Sequence, residues 1–455
     1  MLINKTKRAK QNLERLPCIP LQAEQVEFIY HSSDFKQQII QCIRQAKSRI
    51  YFTALYWQND EAGQQILDEI YRAKQTNPEL EVKILVDWHR AQRNLLGAEK
   101  SATNADWYCD ERSKYQLADD PNIFFGVPIN TREVFGVLHI KGFVFDDTVL
   151  YSGASINNVY LHQQTKYRYD RYHKIEHKRL ADILVSFVKN YLFDPNVVYP
   201  LDSGERPKTK EIRQYIRNFR KYLAGEGQYY MESSVTLNDS LTICPLFGLG
   251  ANHNLLNQTI EDLFQVVEDK LTICTPYFNF PRLLQQKVRR LLAKGKQIEI
   301  IVGDKTASDF YIPPSEPFKM AGALPYLYEK NLRHFSKKFT KQIEQGQLVV
   351  RIWKDGENSY HLKGIWVDDC YMLLTGNNLN PRAWRLDAEN GLFIHDPKQQ
   401  LQAQIQQELT YIRRNTTVLK HYTELSDLTQ YPKPVQKILK KFARIKADKL
   451  VKMIL

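Results

Sequence analysis

The chain has 455 residues, 43% hydrophobic and 12% aromatic, so it can build a sizeable core and is neither disordered nor low in complexity. Its 64 basic and 51 acidic side chains leave a formal charge of +13, which points to an anionic partner: nucleic acid, a phosphorylated metabolite or an anionic membrane surface. No run approaches the ~18 apolar residues of a bilayer-spanning helix, and the N-terminal sequence lacks the apolar stretch of a secretory signal. The cysteines at 18, 42, 109, 244, 274 and 370 form no C-x-x-C pair. Cys42, Cys244 and Cys274 lie in apolar stretches and read as small core residues of a protein in a reducing cytoplasm, not as metal ligands.

In chain order, residues 26–30 read as a short strand and 34–47 as an amphipathic helix with Phe35, Ile39, Ile40 and Ile43 on one face. A strand follows at 49–56, a helix at 62–74, and an alternating strand at 82–87 that ends in Asp87. A basic segment at 204–222 is expected to be a connecting helix. The order then recurs. A strand at 241–247 precedes a helix at 253–268 with Leu255, Leu256, Ile260 and Leu263 on one face; a strand at 271–278 matches 49–56; a helix covers 281–294; and a strand at 298–304 matches 82–87. This internal repeat predicts an α/β fold of two lobes, each with a largely parallel sheet, packed about a pseudo-two-fold axis so that equivalent loops face one central cleft. The expected divisions are 1–230 for the first lobe with its connecting segment, 231–430 for the second lobe and 431–455 for a C-terminal helix.

Each half carries His-x-Lys. The first copy is His139-Ile-Lys141, followed by Asp146 and by Gly153-Ala-Ser155-Ile-Asn157. The second is His361-Leu-Lys363, followed by Asp368 and by Gly376-Asn-Asn378-Leu-Asn380. In a strand, residues two apart project from one face, so each His and Lys point together while Ile140 and Leu362 face away. Each asparagine follows a second short strand and is expected to return beside its own His-Lys pair. Two imidazoles, two ammonium groups and two amides suit a phosphodiester. The cations and amides hold its non-bridging oxygens, one imidazole attacks phosphorus, and the other protonates the leaving oxygen and then deprotonates the acceptor. No metal-ligand cluster is legible, and no cofactor is expected. A lone His-x-Lys is usually a surface pair; two copies at matching places in a repeat carry the catalytic reading. Each histidine also needs a carboxylate to fix its tautomer. Aligning the strands after the motifs pairs Asp170 with Glu389 for this role, a surface salt bridge being the alternative. Asp146 and Asp368 are expected to stabilise the turn after the motif strand.

These residues resemble the phospholipase D superfamily, whose mark is two H-x-K-x4-D motifs. Flanking stretches narrow the resemblance to the phosphatidylserine synthases of the Gram-negative type: Val-Asp-Trp-His-Arg-Ala-Gln-Arg (86–93), Thr-Asn-Ala-Asp-Trp-Tyr (103–108), and the runs 126–133, 166–173, 302–313 and 376–387. The resemblance implies two phospholipase D-like lobes and the reaction of CDP-diacylglycerol with L-serine to give phosphatidylserine and CMP through a phosphatidyl-histidine. It implies His139 as nucleophile and His361 as acid/base, with the reverse assignment left open by the pseudo-symmetry. The superfamily usually shows Gly-Ser-x-Asn after the aspartate. Here the strings are one residue longer, and the second copy has an extra residue before its glycine, so Ser155 and Asn378 are given supporting roles. Tyr277, Arg90, Asn130, Arg132, Asp309 and Arg382, polar groups at strand ends or loops, are candidates for touching substrate. A nuclease or phospholipase D would share the site but use water; a lipid- or RNA-binding protein with a vestigial site is the non-enzymatic alternative.

Residues 433–455 hold eight basic side chains and one acid, Asp448, with Val435, Ile438, Leu439, Phe442, Ile445, Met453 and Ile454 near helical spacing. A basic amphipathic helix is suited to an anionic membrane interface, and Lys5, Lys7, Arg8 and Lys10 would add to that surface. The alternatives are a helix docked on the core, or one that contacts RNA or the ribosome. The expected location is cytoplasmic, peripheral on the cytoplasmic face of the inner membrane.

Overall fold

The computed structural model describes residues 5–93, 102–115, 121–231, 234–235 and 239–444, without the side chains of 442–444. Apolar spacing builds the helices. Phe35, Ile39, Ile40 and Ile43 are buried along Ser32–Gln45, and Leu256, Ile260 and Leu263 along Leu255–Val266. The basic connecting segment is helical over Arg213–Glu226, where Ile216, Phe219 and Leu223 are buried.

Each copy of the repeat forms a sheet flanked by helices. The first sheet has eight strands in the order Tyr199–Pro200, Phe124–Val127, Glu81–Asp87, Arg49–Thr53, Gly142–Phe145, Thr148–Ser152, Tyr172–Glu176 and Val26–Ile29. The second has nine, in the order Ile19–Pro20, Thr242–Leu249, Ala388–His395, Tyr371–Thr375, Gly364–Val367, Lys270–Thr275, Gln297–Gly303, Leu348–Trp353 and Thr416–Val418. The expectation of largely parallel sheets is corrected. In the first sheet only Arg49–Thr53, Glu81–Asp87 and Phe124–Val127 run parallel to one another, and in the second only Lys270–Thr275, Gln297–Gly303 and Leu348–Trp353. Crossover helices link those strands. After the motif the chain turns back through a tight hairpin, which joins antiparallel strands.

The hairpins account for the uneven spacing of the two motifs. Phe145 pairs with Thr148 across Asp146 and Asp147, whereas Val367 pairs with Tyr371 across Asp368, Asp369 and Cys370. The extra residue of the second copy is thus absorbed in its turn. Asp146 (φ 49°), Asp368 (φ 51°) and Asp369 (φ 59°) take the left-handed conformation that such turns use. The Asp146 carboxylate accepts from the backbone N–H groups of Lys47, Ser48 and Arg49, and Asp368 from those of Glu268, Asp269 and Lys270. Strand register also shifts the repeat match by one residue. Thr53 pairs with Gly142 and Cys274 with Gly364, so Tyr56 corresponds to Tyr277.

The lobes interlock. Arg168–Tyr169 pairs in parallel with Ser359–Tyr360, and Leu138 bridges to Ala388. One buried cluster runs from Phe52, Trp57 and Phe143 of the first lobe to Trp353, Tyr360 and Trp366 of the second.

The N-terminal segment departs from the expected divisions. The helix Lys5–Glu14 buries Ala9 and Leu13 in the core of the second lobe, and Ile19–Pro20 is an edge strand of the second sheet, antiparallel to Thr242–Leu249. This register places Cys18 beside Cys244, with Cα atoms 4.3 Å apart, as a disulfide. Cys244 is buried in the core as read, and its pairing with Cys18 adds to that reading; a separation of 226 residues hides a pairing that only the fold creates. At the other end, the helix Lys433–Arg444 buries Val435 and Leu439 against Tyr326, Leu327 and Tyr431. Part of the face expected to meet a membrane is therefore docked on the protein. Ile445, Met453 and Ile454 lie outside the described residues. Among the described residues no helix is long and apolar enough to cross a membrane.

Candidate active site

His139 and Lys141 immediately precede the strand Gly142–Phe145, and His361 and Lys363 precede Gly364–Val367. The two runs lie along the seam between lobes. The His139 N–H donates to the Ala388 carbonyl at 2.9 Å, and the His361 N–H to the Tyr169 carbonyl at 2.8 Å. Buried Asp87, the acid that ends its strand, accepts from the Leu138 N–H at 2.9 Å and so fixes the approach to His139.

Each histidine meets a carboxylate from the opposite lobe. His139 Nδ1 lies 2.9 Å from Glu389 Oε2, and His361 Nδ1 lies 2.8 Å from Asp170 Oδ2. The repeat alignment had given each pair its own carboxylate; the actual assignment is crossed, because each His-x-Lys run pairs with the other lobe's strand. The residues that follow cross as well. Asn390 accepts from the Lys141 N–H and donates to the Lys141 carbonyl, both at 2.8 Å. Arg171 reaches the Glu408 carboxylate at 2.7 and 2.8 Å and the Leu373 carbonyl at 3.2 Å. Glycine stands where these elements touch. A Cβ on Gly153 would lie 2.7 Å from Asp170 Oδ2, and one on Gly376 would lie 3.1 Å from Lys141 Cγ.

The motif amides and hydroxyls brace the loops. Lys141 Nζ donates to Ser155 Oγ at 3.4 Å. Asn157 donates to the Tyr56 hydroxyl at 3.4 Å and accepts from the Tyr160 N–H at 3.0 Å. Asn380 caps the helix Pro381–Arg385 by accepting from the Ala383 N–H at 2.9 Å, and the Asn378 carbonyl accepts from Thr275 Oγ1 at 2.8 Å.

Burial and like charge dominate the electrostatics. Burial, reinforced by Lys141 and Lys363, holds the His139 imidazole well below its ordinary range. His361 is lowered to about 4 by burial and Lys363, against the pull of Asp170. Burial and Lys363 bring Lys141 down to about 7. Burial brings Lys363 to about 8, although Asp170 opposes it. The carboxylates part company. Burial raises Asp170, but Lys363 and His361 outweigh it and leave the group below the usual range. Burial and then Asp387 push Glu389 well above that range. The result is two imidazoles disfavoured as cations beside two lysines brought towards neutrality, an arrangement able to hold a phosphate diester and move a proton.

The substrate candidates divide into two groups. Tyr277 and Asp309 lie near His361: the Tyr277 hydroxyl bonds Asp309, and its ring centroid is 6.3 Å from that of His361. Arg90 and Arg382 gather around the segment at 133–134. Arg90 Nε is 2.9 Å from Glu133 Oε1, while Arg382 donates to the Glu133 carbonyl at 2.9 Å and to Asp387 Oδ2 at 2.9 Å. Asn130 braces its own loop, donating to the Phe135 carbonyl at 2.9 Å, and exposed Arg132 stands at the start of the short helix Glu133–Phe135. Among the described residues, no group of three or more His, Cys, Asp or Glu side chains is gathered to hold a metal ion.

Comparison with known proteins bears on this geometry. A family model for "Cardiolipin synthase, PLD-like domain" matches residues 260–413, which include the second motif. The chain is 72% identical to a CDP-diacylglycerol–serine O-phosphatidyltransferase of Haemophilus influenzae over 455 residues, covering 100% of both chains. It is 51% identical to that of Escherichia coli, again covering 100% of both. The chain belongs to the CDP-diacylglycerol–serine O-phosphatidyltransferase family. A crystal structure of phosphatidylserine synthase from Haemophilus influenzae matches the fold with a TM-score of 0.97 at 72% identity, covering 100% of each chain. The narrower resemblance drawn from the flanking stretches therefore holds.

Several groups at the centre of this family member carry no motif signal. The Tyr160 hydroxyl is 3.0 Å from His361 Nδ1, and the Arg168 guanidinium stacks over the Tyr160 ring at 4.8 Å. Tyr56 and Asn390 were equally silent in the sequence. Tyr56 is legible only once the repeat is set in register with Tyr277. Asn390 sits next to Glu389 and could have been sought as the polar neighbour of an orienting carboxylate.

Proposed function

We propose that this chain converts CDP-diacylglycerol and L-serine into phosphatidylserine and CMP. The observation that carries the proposal is the 72% and 51% identity, over full length, to relatives named for that transfer. The crossed centre supports the same chemistry. In the first half-reaction His139 attacks phosphorus while His361 protonates the departing CMP oxygen; in the second, His361 takes the proton of the acceptor hydroxyl as it displaces His139. Lys141 and Lys363 hold the non-bridging oxygens. Asp170 and Glu389 orient the imidazoles, and Ser155, Asn157, Asn378 and Asn380 keep the surrounding loops in place. Arg90 and Arg382 supply positive charge for the pyrophosphate of the donor. The test is purified protein with CDP-diacylglycerol in mixed micelles, with and without serine, followed by CMP release. Serine-dependent release with phosphatidylserine formed is expected; equal release without serine would assign the site to hydrolysis.

The substrate also implies a surface. The basic residues of 433–455 and of the helix Lys5–Glu14 favour reversible attachment to anionic lipid at the cytoplasmic face of the inner membrane. Because Val435 and Leu439 are docked, the attaching part is the segment beyond residue 444. Truncation after Arg444 should weaken binding to anionic liposomes and spare turnover in micelles. The same charges draw phosphate backbones, so RNA or ribosome association is tested by competing RNA against liposomes at fixed salt.

A further inference from the structure

Beside His361 the cleft holds an ion pair that is not closed. Arg168 Nη1 stands 3.8 Å from Asp309 Oδ2, beyond hydrogen-bonding reach. Each group is fixed by other partners. Arg168 lies over the Tyr160 ring and donates from Nε to Ser359 Oγ at 3.1 Å, and Asp309 takes the Tyr277 hydroxyl on its other oxygen. Their side chains are 14% and 22% exposed. Tyr160 ties the pair to the chemistry, because its hydroxyl is 3.0 Å from His361 Nδ1. Tyr328, stacked on Tyr277 with centroids 5.2 Å apart, adds an aromatic wall.

A cation and an anion held rigidly, just too far apart to satisfy each other, are complementary to a zwitterion. An α-amino acid can replace the one long contact with two charge-assisted hydrogen bonds of opposite polarity. We propose that Arg168 and Asp309 seat the acceptor amino acid, Arg168 taking its α-carboxylate and Asp309 its α-ammonium, with the side-chain hydroxyl presented to His361. This deepens the phosphatidyl-transfer reading and rests on it. In the second half-reaction the serine hydroxyl proton passes to the His361 imidazole, the serine oxygen bonds phosphorus, and the phosphorus–nitrogen bond breaks with its electron pair returning to His139. The seat thereby assigns His361 as the base and His139 as the nucleophile. It also gives a basis for choosing serine over water and over neutral alcohols, which cannot satisfy both charges.

The test measures acceptor kinetics of the full chain in CDP-diacylglycerol micelles. Asp309→Asn and Arg168→Gln should each raise the KM for serine by at least ~10-fold, the loss expected for one charge-assisted bond, with a smaller change in kcat. Preference among acceptors should shift by residue. Asp309→Asn should erode the preference for serine over 3-hydroxypropionate, which lacks the ammonium. Arg168→Gln should erode the preference over ethanolamine, which lacks the carboxylate. Arg168→Lys and Asp309→Glu, which keep the charges, should fall between wild type and these variants, and they carry the ratios if the neutral variants turn over too slowly. An unchanged KM for serine in all four variants, or a rise confined to the KM for CDP-diacylglycerol, would overturn the seat. Wild-type protein that releases CMP equally with and without serine would instead remove the parent reading, and the seat with it.

Discussion

The carboxyl facing His361 is held below its ordinary range, whereas burial and Asp387 push the one facing His139 well above it, although crossed pairings of the same kind hold both. Asp170 gains its charge from Lys363, whose Nζ lies 3.4 Å from it, and from His361. Glu389 has Asp387 as a like-charged neighbour, and Lys141 Nζ turns to Ser155 instead. Matching frames therefore bias their carboxyls in opposite directions, and the difference fits a division of labour. An imidazole beside a standing negative charge passes readily through its cationic form, as an acid/base must. An imidazole beside a carboxyl pushed towards its neutral form meets less bias towards the cation, which suits a group that attacks phosphorus.

The largest effects should come from the histidines. His139→Ala should abolish covalent labelling by radiolabelled CDP-diacylglycerol and lower CMP release at least ~10⁴-fold, while His361→Ala should lower turnover ~10²–10⁴-fold yet still label slowly. Label trapped under alkaline conditions on the His139 variant would reverse the roles. Next come the carboxylates. Asp170→Asn removes a carboxylate held below its ordinary range and should lower kcat by roughly 10²-fold or more, whereas Glu389→Gln replaces a carboxyl pushed towards its neutral form and should lower it less than ~10-fold. Equal losses would break the comparison.

The pH profile sharpens it further. In the phosphatidyl-enzyme that meets serine, His361, lowered to about 4, must be neutral to act as base, while Lys141 at about 7 and Lys363 at about 8 must be charged. The profile of kcat/KM for serine should therefore rise as pH passes about 4 and fall as it passes about 7, where Lys141 loses its proton. Lys141→Arg stays charged throughout and should move the falling limb towards the Lys363 value of about 8. A limb that does not move would clear Lys141. The smallest effects should be those in which the halves agree. Asp146→Ala and Asp368→Ala each strip a hairpin of matching acceptors and should destabilise by similar amounts, about 1–3 kcal/mol, read by denaturant unfolding. Unequal losses would show that the two turns are not equivalent.

Much of this was legible because it is local. The His-x-Lys pairs, the aspartates of the turns and the amphipathic helices each rest on spacing within a few residues. The repeat was visible too, since it copies whole elements. What escaped depends on how distant strands meet. Crossing of Asp170 to His361 and of Glu389 to His139 is a fact of lobe packing; spacing gives the correct partners as a set and the wrong pairing within it. The mixed sheets escaped because alternation marks a strand but not its direction. The closure of Cys18 on Cys244 escaped for want of any signal that the first strand belongs to the second sheet. Tyr160 and Arg168 act from a connecting loop and a two-residue strand, where periodicity says nothing.

That early edge strand has a consequence for biosynthesis. Ile19–Pro20 is made well before its neighbour, which begins at Thr242. With 226 residues between Cys18 and Cys244, translation at ~5–20 residues per second leaves the segment waiting ~10–50 s for its partner. The strands of the first sheet all lie within residues 26–200 and can assemble during that interval. The helix Lys5–Glu14 and its strand dock on the second lobe, so a segment made before the first sheet finds its place after it, and its docking marks the arrival of the second half.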